Sequence, residues 1–162
     1  MRILGIDPGY ATLGYGVVDR EGSKFKEITY GAITTSSDED LFTRYMILAE
    51  EIQELIDKYN PTHAGVEKLY FNKNVKTAIN VAQARGVILL LLRQNDLIVE
   101  EFTPIQIKQG VTGYGRADKK QVQKMIQTLL NLKEIPKPDD ASDALGVALC
   151  CGQKTGFEKH IS

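Results

Sequence analysis

Short apolar runs divided by turn residues dominate the first third of the chain. Residues 2–7 read as a strand buried around Ile3, Leu4 and Ile6. Residues 15–20 and 25–34 read as two more, with Gly9 to Gly14 and Glu21-Gly22-Ser23 supplying the turns. From Leu41 the period changes. Leu41, Tyr45, Leu48, Ile52, Leu55, Ile56 and Tyr59 recur at helical spacing, after Ser36-Ser37-Asp38-Glu39 has offered capping residues. Asn60-Pro61 stops that helix, and residues 62–67 form a fourth short strand. A long helix is expected over residues 73–93. Its first half is small and polar. Its second half, Val87-Ile88-Leu89-Leu90-Leu91-Leu92, is apolar all round and requires burial against the core or a partner chain. Residues 97–102 give a fifth strand and 104–110 a short helix. Val122, Met125, Ile126, Leu129 and Leu130 mark an amphipathic helix starting near Asp118. A last helix is expected over residues 139–151, closed by Gly152 and followed by a loose polar tail.

The order is βββ-α-β-α-β-α-α-α. Antiparallel strands followed by alternating units predict an α/β fold: one mixed five-stranded sheet with helices on both faces. No repeat or linker divides it, so a single domain over residues 1–152 and a tail over 153–162 are expected. The 162 residues suit one domain with a substantial core. The net charge of -1 excludes a globally basic nucleic-acid binder, so any such site must come from local charge. The longest apolar run is far too short to span a bilayer, and the N-terminus carries no signal-peptide pattern. No membrane partner is expected, and the expected location is cytoplasmic. Cys150 and Cys151 are neighbours on an apolar helix and point apart, which favours buried reduced thiols over a disulfide.

Against this frame one residue stands out. Asp7 ends a buried strand, where an unpaired carboxylate costs several kcal/mol or is forced neutral. Hydrogen bonding to the following glycine-rich turn, a metal or catalysis could each account for it. Glu67 ends the fourth strand, and Asp140 and Asp143 lie three apart at the start of the last helix, on one face. Asp139 reads as that helix's cap. If the first and fourth strands are neighbours, Asp7 and Glu67 lie side by side, and the last helix can bring its pair over them. Such acids repel one another, and a divalent cation resolves the repulsion. All-oxygen ligation suits Mg²⁺ or Mn²⁺. Two such ions about 3.5–4 Å apart activate water and stabilise a leaving oxygen on phosphate.

Positive charge is segregated around these acids. Between Lys68 and Asn95 there is no Asp or Glu, but there are Lys73, Lys76, Arg85 and Arg93. A second stretch carries Lys108, Arg116, Lys119, Lys120 and Lys124. This pattern suits a polyanion held by Lys and Arg with metals at the cut point. Tyr70 and Phe71 lie among lysines after Glu67, where an aromatic can stack on an unpaired base or simply pack beneath its loop. Gly113-Tyr114-Gly115-Arg116 can close on a backbone or merely connect helices. His63 and His160 lack metal-ligand spacing.

Taken together, these residues resemble the RuvC family of Holliday-junction resolvases. The resemblance rests on Ile3-Leu4-Gly5-Ile6-Asp7-Pro8-Gly9 with Gly14-Tyr15-Gly16, and on Val66-Glu67. It continues through Asn72-Lys73-Asn74, Gln83-Ala84-Arg85-Gly86, Lys108-Gln109 and Lys119-Lys120-Gln121-Val122-Gln123, and ends at Asp140-Ala141-Ser142-Asp143-Ala144-Leu145. It implies a ribonuclease H-like fold and a homodimer that makes paired symmetric nicks in a four-way DNA junction. The implied products carry 5′-phosphate and 3′-hydroxyl ends. Bacterial recombination and repair, alongside the RuvA–RuvB branch-migration complex, is the implied setting. The family's catalytic acids fall on Asp7, Glu67, Asp140 and Asp143, its catalytic basic residue on Lys119, a further basic contact on Lys108 and its junction-facing aromatic on Tyr70. Some members carry His at the position of Asp140, and Asp139 adds a further acid here. The expectation is two-metal hydrolysis with Mg²⁺, Mn²⁺ being able to substitute. Asp7 would bridge the ions and Lys119 would neutralise charge on the scissile phosphate. Tyr70, Lys73, Lys76, Arg85, Lys108, Arg116 and Lys120 would contact DNA. Two other classes compete. Actin-like ATPases and sugar kinases also open with strand-Asp-x-Gly-turn-strand, but need a second phosphate loop that this chain lacks. A junction-binding module without catalysis conflicts with four DNA-repelling acids.

Overall fold

The computed structural model describes residues 1–68 and 74–161, the last six of these by backbone alone. Five strands and five helices follow the expected order: β1 (Arg2–Asp7), β2 (Thr12–Glu21), β3 (Lys24–Thr34), α1 (Leu41–Tyr59), β4 (His63–Glu67), α2 (Val75–Gln94), β5 (Ile98–Phe102), α3 (Pro104–Thr112), α4 (Lys119–Leu129) and α5 (Asp139–Ile161). The strands make one sheet in the order β3-β2-β1-β4-β5. β1 pairs antiparallel with β2 and parallel with β4, and β4 pairs parallel with β5. The sheet is therefore mixed, with β1 at its centre.

Alternation along β1 sends its side chains to two cores. Leu4 and Ile6 join Leu48, Ile52, Ile56, Ile88 and Leu92 of α1 and α2. Ile3 joins Ile107, Ile126, Leu145 and Leu149 of α3, α4 and α5 on the opposite face. Helix ends follow local chemistry. Asp40 accepts from Thr43 N–H at the start of α1, and Thr103 and Asp118 form capping boxes with Gln106 and Gln121. Gly113, at φ 75°, closes α3 two residues later than expected.

One expectation fails for a packing reason. Gly152 does not end the last helix, which runs on to Ile161. A side chain at Gly152 would press on Phe25 and Ile3, so this glycine serves close helix–sheet contact rather than termination. The apolar half of α2 is buried on one side only. Ala84, Ile88 and Leu92 enter the core while Leu90 is 61% exposed. By length and composition α2 could cross a bilayer, contrary to the estimate from its apolar run. Here it packs along the sheet.

Candidate active site

The approach of α5 to the sheet builds the site. At Gly5 and Gly14 a Cβ would collide with α5 backbone, at Ala144 and Asp140 respectively. Gly14 is also the cross-strand partner of Asp7. The missing side chain therefore seats the first turn of α5 directly beside the end of β1. On the other side, Ile6 pairs with Val66, so the next residues, Asp7 and Glu67, end adjacent parallel strands together. Both conditions set by the sequence are met: β1 and β4 are neighbours, and α5 delivers Asp140 and Asp143 to them.

The electrostatics of the acids follow from this placement. The Asp7 carboxyl is pushed up from 3.8 to about 9, first by burial, then by the charge of Glu67 and a shared hydrogen bond with it, then by Asp143 and Asp140. Asp143 is raised to about 6, chiefly by burial. Lys119 opposes that rise, while Glu67, Asp140 and Asp139 add to it. Among the described residues no three His, Cys, Asp or Glu side chains stand close enough together to hold a metal ion as they are placed here. The acids form an open, mutually repelling cluster. Its donors are all oxygen, which fits a hard divalent cation.

A cavity of about 260 Å³ opens beside this cluster, lined by Glu67, Lys108, Lys119 and Asp143 over an apolar wall that includes Ile107 and Val122. Two of the expected cations thus share one cleft with two of the acids. Lys119 Nζ sits 2.8 Å from Asp139 Oδ2. Gln123 donates to the other Asp139 oxygen at 3.2 Å. Asp139 is therefore a tether for Lys119 in the first turn of α5, and not the helix cap expected of it. Both partners are more than half exposed, so the pair stabilises little. Its value is positional.

Other expected contacts are dispersed. Lys76 is exposed on the first turn of α2, Arg116 is exposed in the turn before α4, and Lys120 faces a separate cavity. Arg85 has partners within the fold. Its Nε donates to the Glu67 carbonyl at 3.1 Å, and its Nη2 lies 3.0 Å from Glu101 Oε1. With only 16% of its side chain exposed, it ties α2 to the end of β4 by this hydrogen bond and to β5 by the ion pair. Tyr70 and Lys73 lie outside the described residues. Cys150 and Cys151 are buried free thiols, pushed by burial to about 11 and about 12. That agrees with the inert reading.

Comparison with known proteins decides the family. The family model described as crossover junction endodeoxyribonuclease RuvC matches residues 3–151. The chain belongs to the RuvC family. The RuvC protein of Thermosipho melanesiensis is 54% identical, the match covering 97% of this chain and 100% of that one. That of Clostridioides difficile is 52% identical over 99% and 95% of the two chains. Among solved structures, T. thermophilus RuvC in complex with a Holliday junction substrate superposes with a TM-score of 0.93 at 31% identity, covering 98% and 96%. The yeast mitochondrial resolvase Ydc2, at 14% identity and a TM-score of 0.72, shares the fold. The architecture is ribonuclease H-like, and membership of this endonuclease family removes the ATPase alternative.

Proposed function

We propose that this RuvC-family chain is a metal-dependent, structure-selective endonuclease that resolves four-way DNA junctions. The observation that carries the proposal is the meeting of Asp7, Glu67, Asp140 and Asp143, from β1, β4 and α5, beside a cleft that also holds Lys108 and Lys119. Asp7, Glu67, Asp140 and Asp143 would hold one or two Mg²⁺ ions, with Mn²⁺ able to substitute. Bound there, the metal supplies a nucleophile from water and neutralises charge on the reacting phosphate. The chain's own residues do the rest. Lys119, steadied by Asp139, places a positive charge at the mouth of the cleft, where negative charge grows on the scissile phosphate. Lys108 holds the backbone on the other wall. Arg85 fixes the end of β4, and with it the direction of Glu67.

Paired nicks of like polarity, leaving 5′-phosphate and 3′-hydroxyl ends, require two such sites. A homodimer supplies them. Val75, Ile79 and Leu90 are exposed and lie toward one side of α2, since Leu90 is eleven residues, about three helical turns, beyond Ile79, and Val75 is about one turn before it. Phe42 and Met46 extend the apolar surface on α1, which is tied to α2 by Tyr45 Oη at 2.8 Å from Gln83 Oε1. Exposed apolar surface of this kind suits a two-fold interface. The RuvA–RuvB branch-migration complex is the proposed partner in recombination and repair. The test is incubation with a labelled four-way junction and matching linear duplex in Mg²⁺ or in EDTA. Symmetric, metal-dependent nicks confined to the junction support the proposal. Binding without nicks in Mg²⁺ refutes it.

A further inference from the structure

The start of α4 has the acid cleft on one side and a second, larger cavity of about 560 Å³ on the other. Consecutive residues divide between them: Lys119 lines the cleft and Lys120 the cavity. The two spaces therefore share one wall, a single residue step apart, about 3.8 Å along the backbone. A volume of this size lies within the roughly 300–1,000 Å³ of small-ligand sites.

Its chemistry is specific. Tyr114, 56% exposed, and Met125 provide apolar surface for a flat ring. The capping box of α4 commits one Asp118 side-chain oxygen to the Gln121 backbone N–H and the Gln121 side-chain oxygen Oε1 to the Asp118 backbone N–H. The Gln121 amide NH₂ and the second Asp118 oxygen keep no partner among the described hydrogen bonds, and they offer one donor group and one acceptor. Lys120 and Lys124 add two positive charges. Among the described residues Lys124 is bonded only to Gln127, at 3.1 Å, and Lys120 has no ion pair.

We propose that this cavity receives one unpaired nucleotide of the strand being cut. Its base stacks on Tyr114 over Met125, its polar edge meets Gln121 and Asp118, and its phosphate lies between Lys120 and Lys124. The inference rests on the junction-nuclease reading and adds a subsite to it. It also gives structure selectivity a physical source. A crossover nucleotide has already lost stacking and can enter, whereas a nucleotide of intact duplex must first be extruded.

The test uses four-way junctions with 2-aminopurine at successive positions flanking the nick. They are bound in Mg²⁺ by full-length protein carrying Asp7→Asn, so that the DNA is not consumed. One position changes its fluorescence on binding while positions in the duplex arms do not. Adding Tyr114→Ala abolishes that change and weakens junction binding about tenfold; adding Tyr114→Phe preserves both. Tyr114 is exposed, so the alanine variant folds, and an unchanged melting temperature verifies this. A fluorescence change that survives Tyr114→Ala, or no responsive position at all, overturns the subsite. Nicking by the wild-type protein serves as the control. Its failure overturns the nuclease reading and the subsite with it, whereas nicking with an indifferent Tyr114 overturns the subsite alone.

Discussion

Asp7→Asn should make the metal-free protein more stable, and increasingly so as pH rises. The Asp7 carboxyl titrates near 9 in the folded chain against 3.8 for an unperturbed aspartate. Between those values the folded state holds a proton that the unfolded state has released. Raising the pH therefore favours unfolding, by up to about 1.4 kcal/mol per pH unit. Asp143, raised only to about 6, has largely finished titrating by pH 6.5. From pH 6.5 to 8.5 Asp7 should remove on the order of 2–3 kcal/mol at most. Asparagine keeps the shape, donates to Glu67 as the protonated acid does, and has no proton to lose. For a chain of this length each kcal/mol moves the melting temperature by about 2–4 °C. The gap between Asp7→Asn and wild type should thus widen by roughly 5–10 °C across that range in EDTA. Magnesium should reverse the order by stabilising wild type and leaving Asp7→Asn nearly unmoved. The assay is thermal unfolding by circular dichroism, with and without Mg²⁺. Parallel melting curves for the two proteins at every pH would refute the reasoning, because Asp7 would then be an ordinary carboxylate in an uncrowded place.

Other outcomes follow from the same geometry. Lys119→Met should slow junction nicking about 10²–10³-fold, the cost typical of removing one group that stabilises the transition-state charge, with junction affinity changed only a few-fold; equal losses of rate and affinity would make Lys119 a general phosphate contact. Gly14→Ala drives a Cβ into the Asp140 backbone. It should cost about 1–3 kcal/mol in denaturant unfolding and lower nicking by displacing Asp140 and Asp143. Leu90→Glu should yield monomers in sedimentation and uncouple the two nicks, leaving junctions cut on one strand. Arg85→Met removes the brace on Glu67 without touching the cleft. It should reduce the nicking rate more than junction binding, and a pure loss of binding would make Arg85 a DNA contact instead.

Much of this site was legible because its determinants are local. An acid at the end of a buried strand, a second at the end of a neighbouring strand and a pair three apart on a helix can be read without coordinates. What could not be read is orientation between elements. Asp139 has the residue type and place of a helix cap, yet its partner is Lys119 from another helix. Arg85 belongs to an acid-free basic stretch, and composition cannot say that its side of α2 faces the ends of β4 and β5. A glycine near the end of an apolar helix signals a stop, but Gly152 answers to Phe25 and Ile3, residues from the far end of the chain. Gly5 and Gly14 similarly look like turn and strand glycines. Only the fold shows that they let α5 settle onto the sheet, the close approach on which the acid cluster depends.

The central claim is that the carboxylates gathered around Asp7 perform metal-dependent cutting of a four-way junction. Single-turnover nicking of a labelled junction by Asp7→Asn in Mg²⁺, with binding measured on the same samples, tests it most directly. The expected result is nicking reduced at least about a thousandfold, as when a principal catalytic group is lost, with junction affinity within a few-fold of wild type. Nicking at the wild-type rate would contradict the claim.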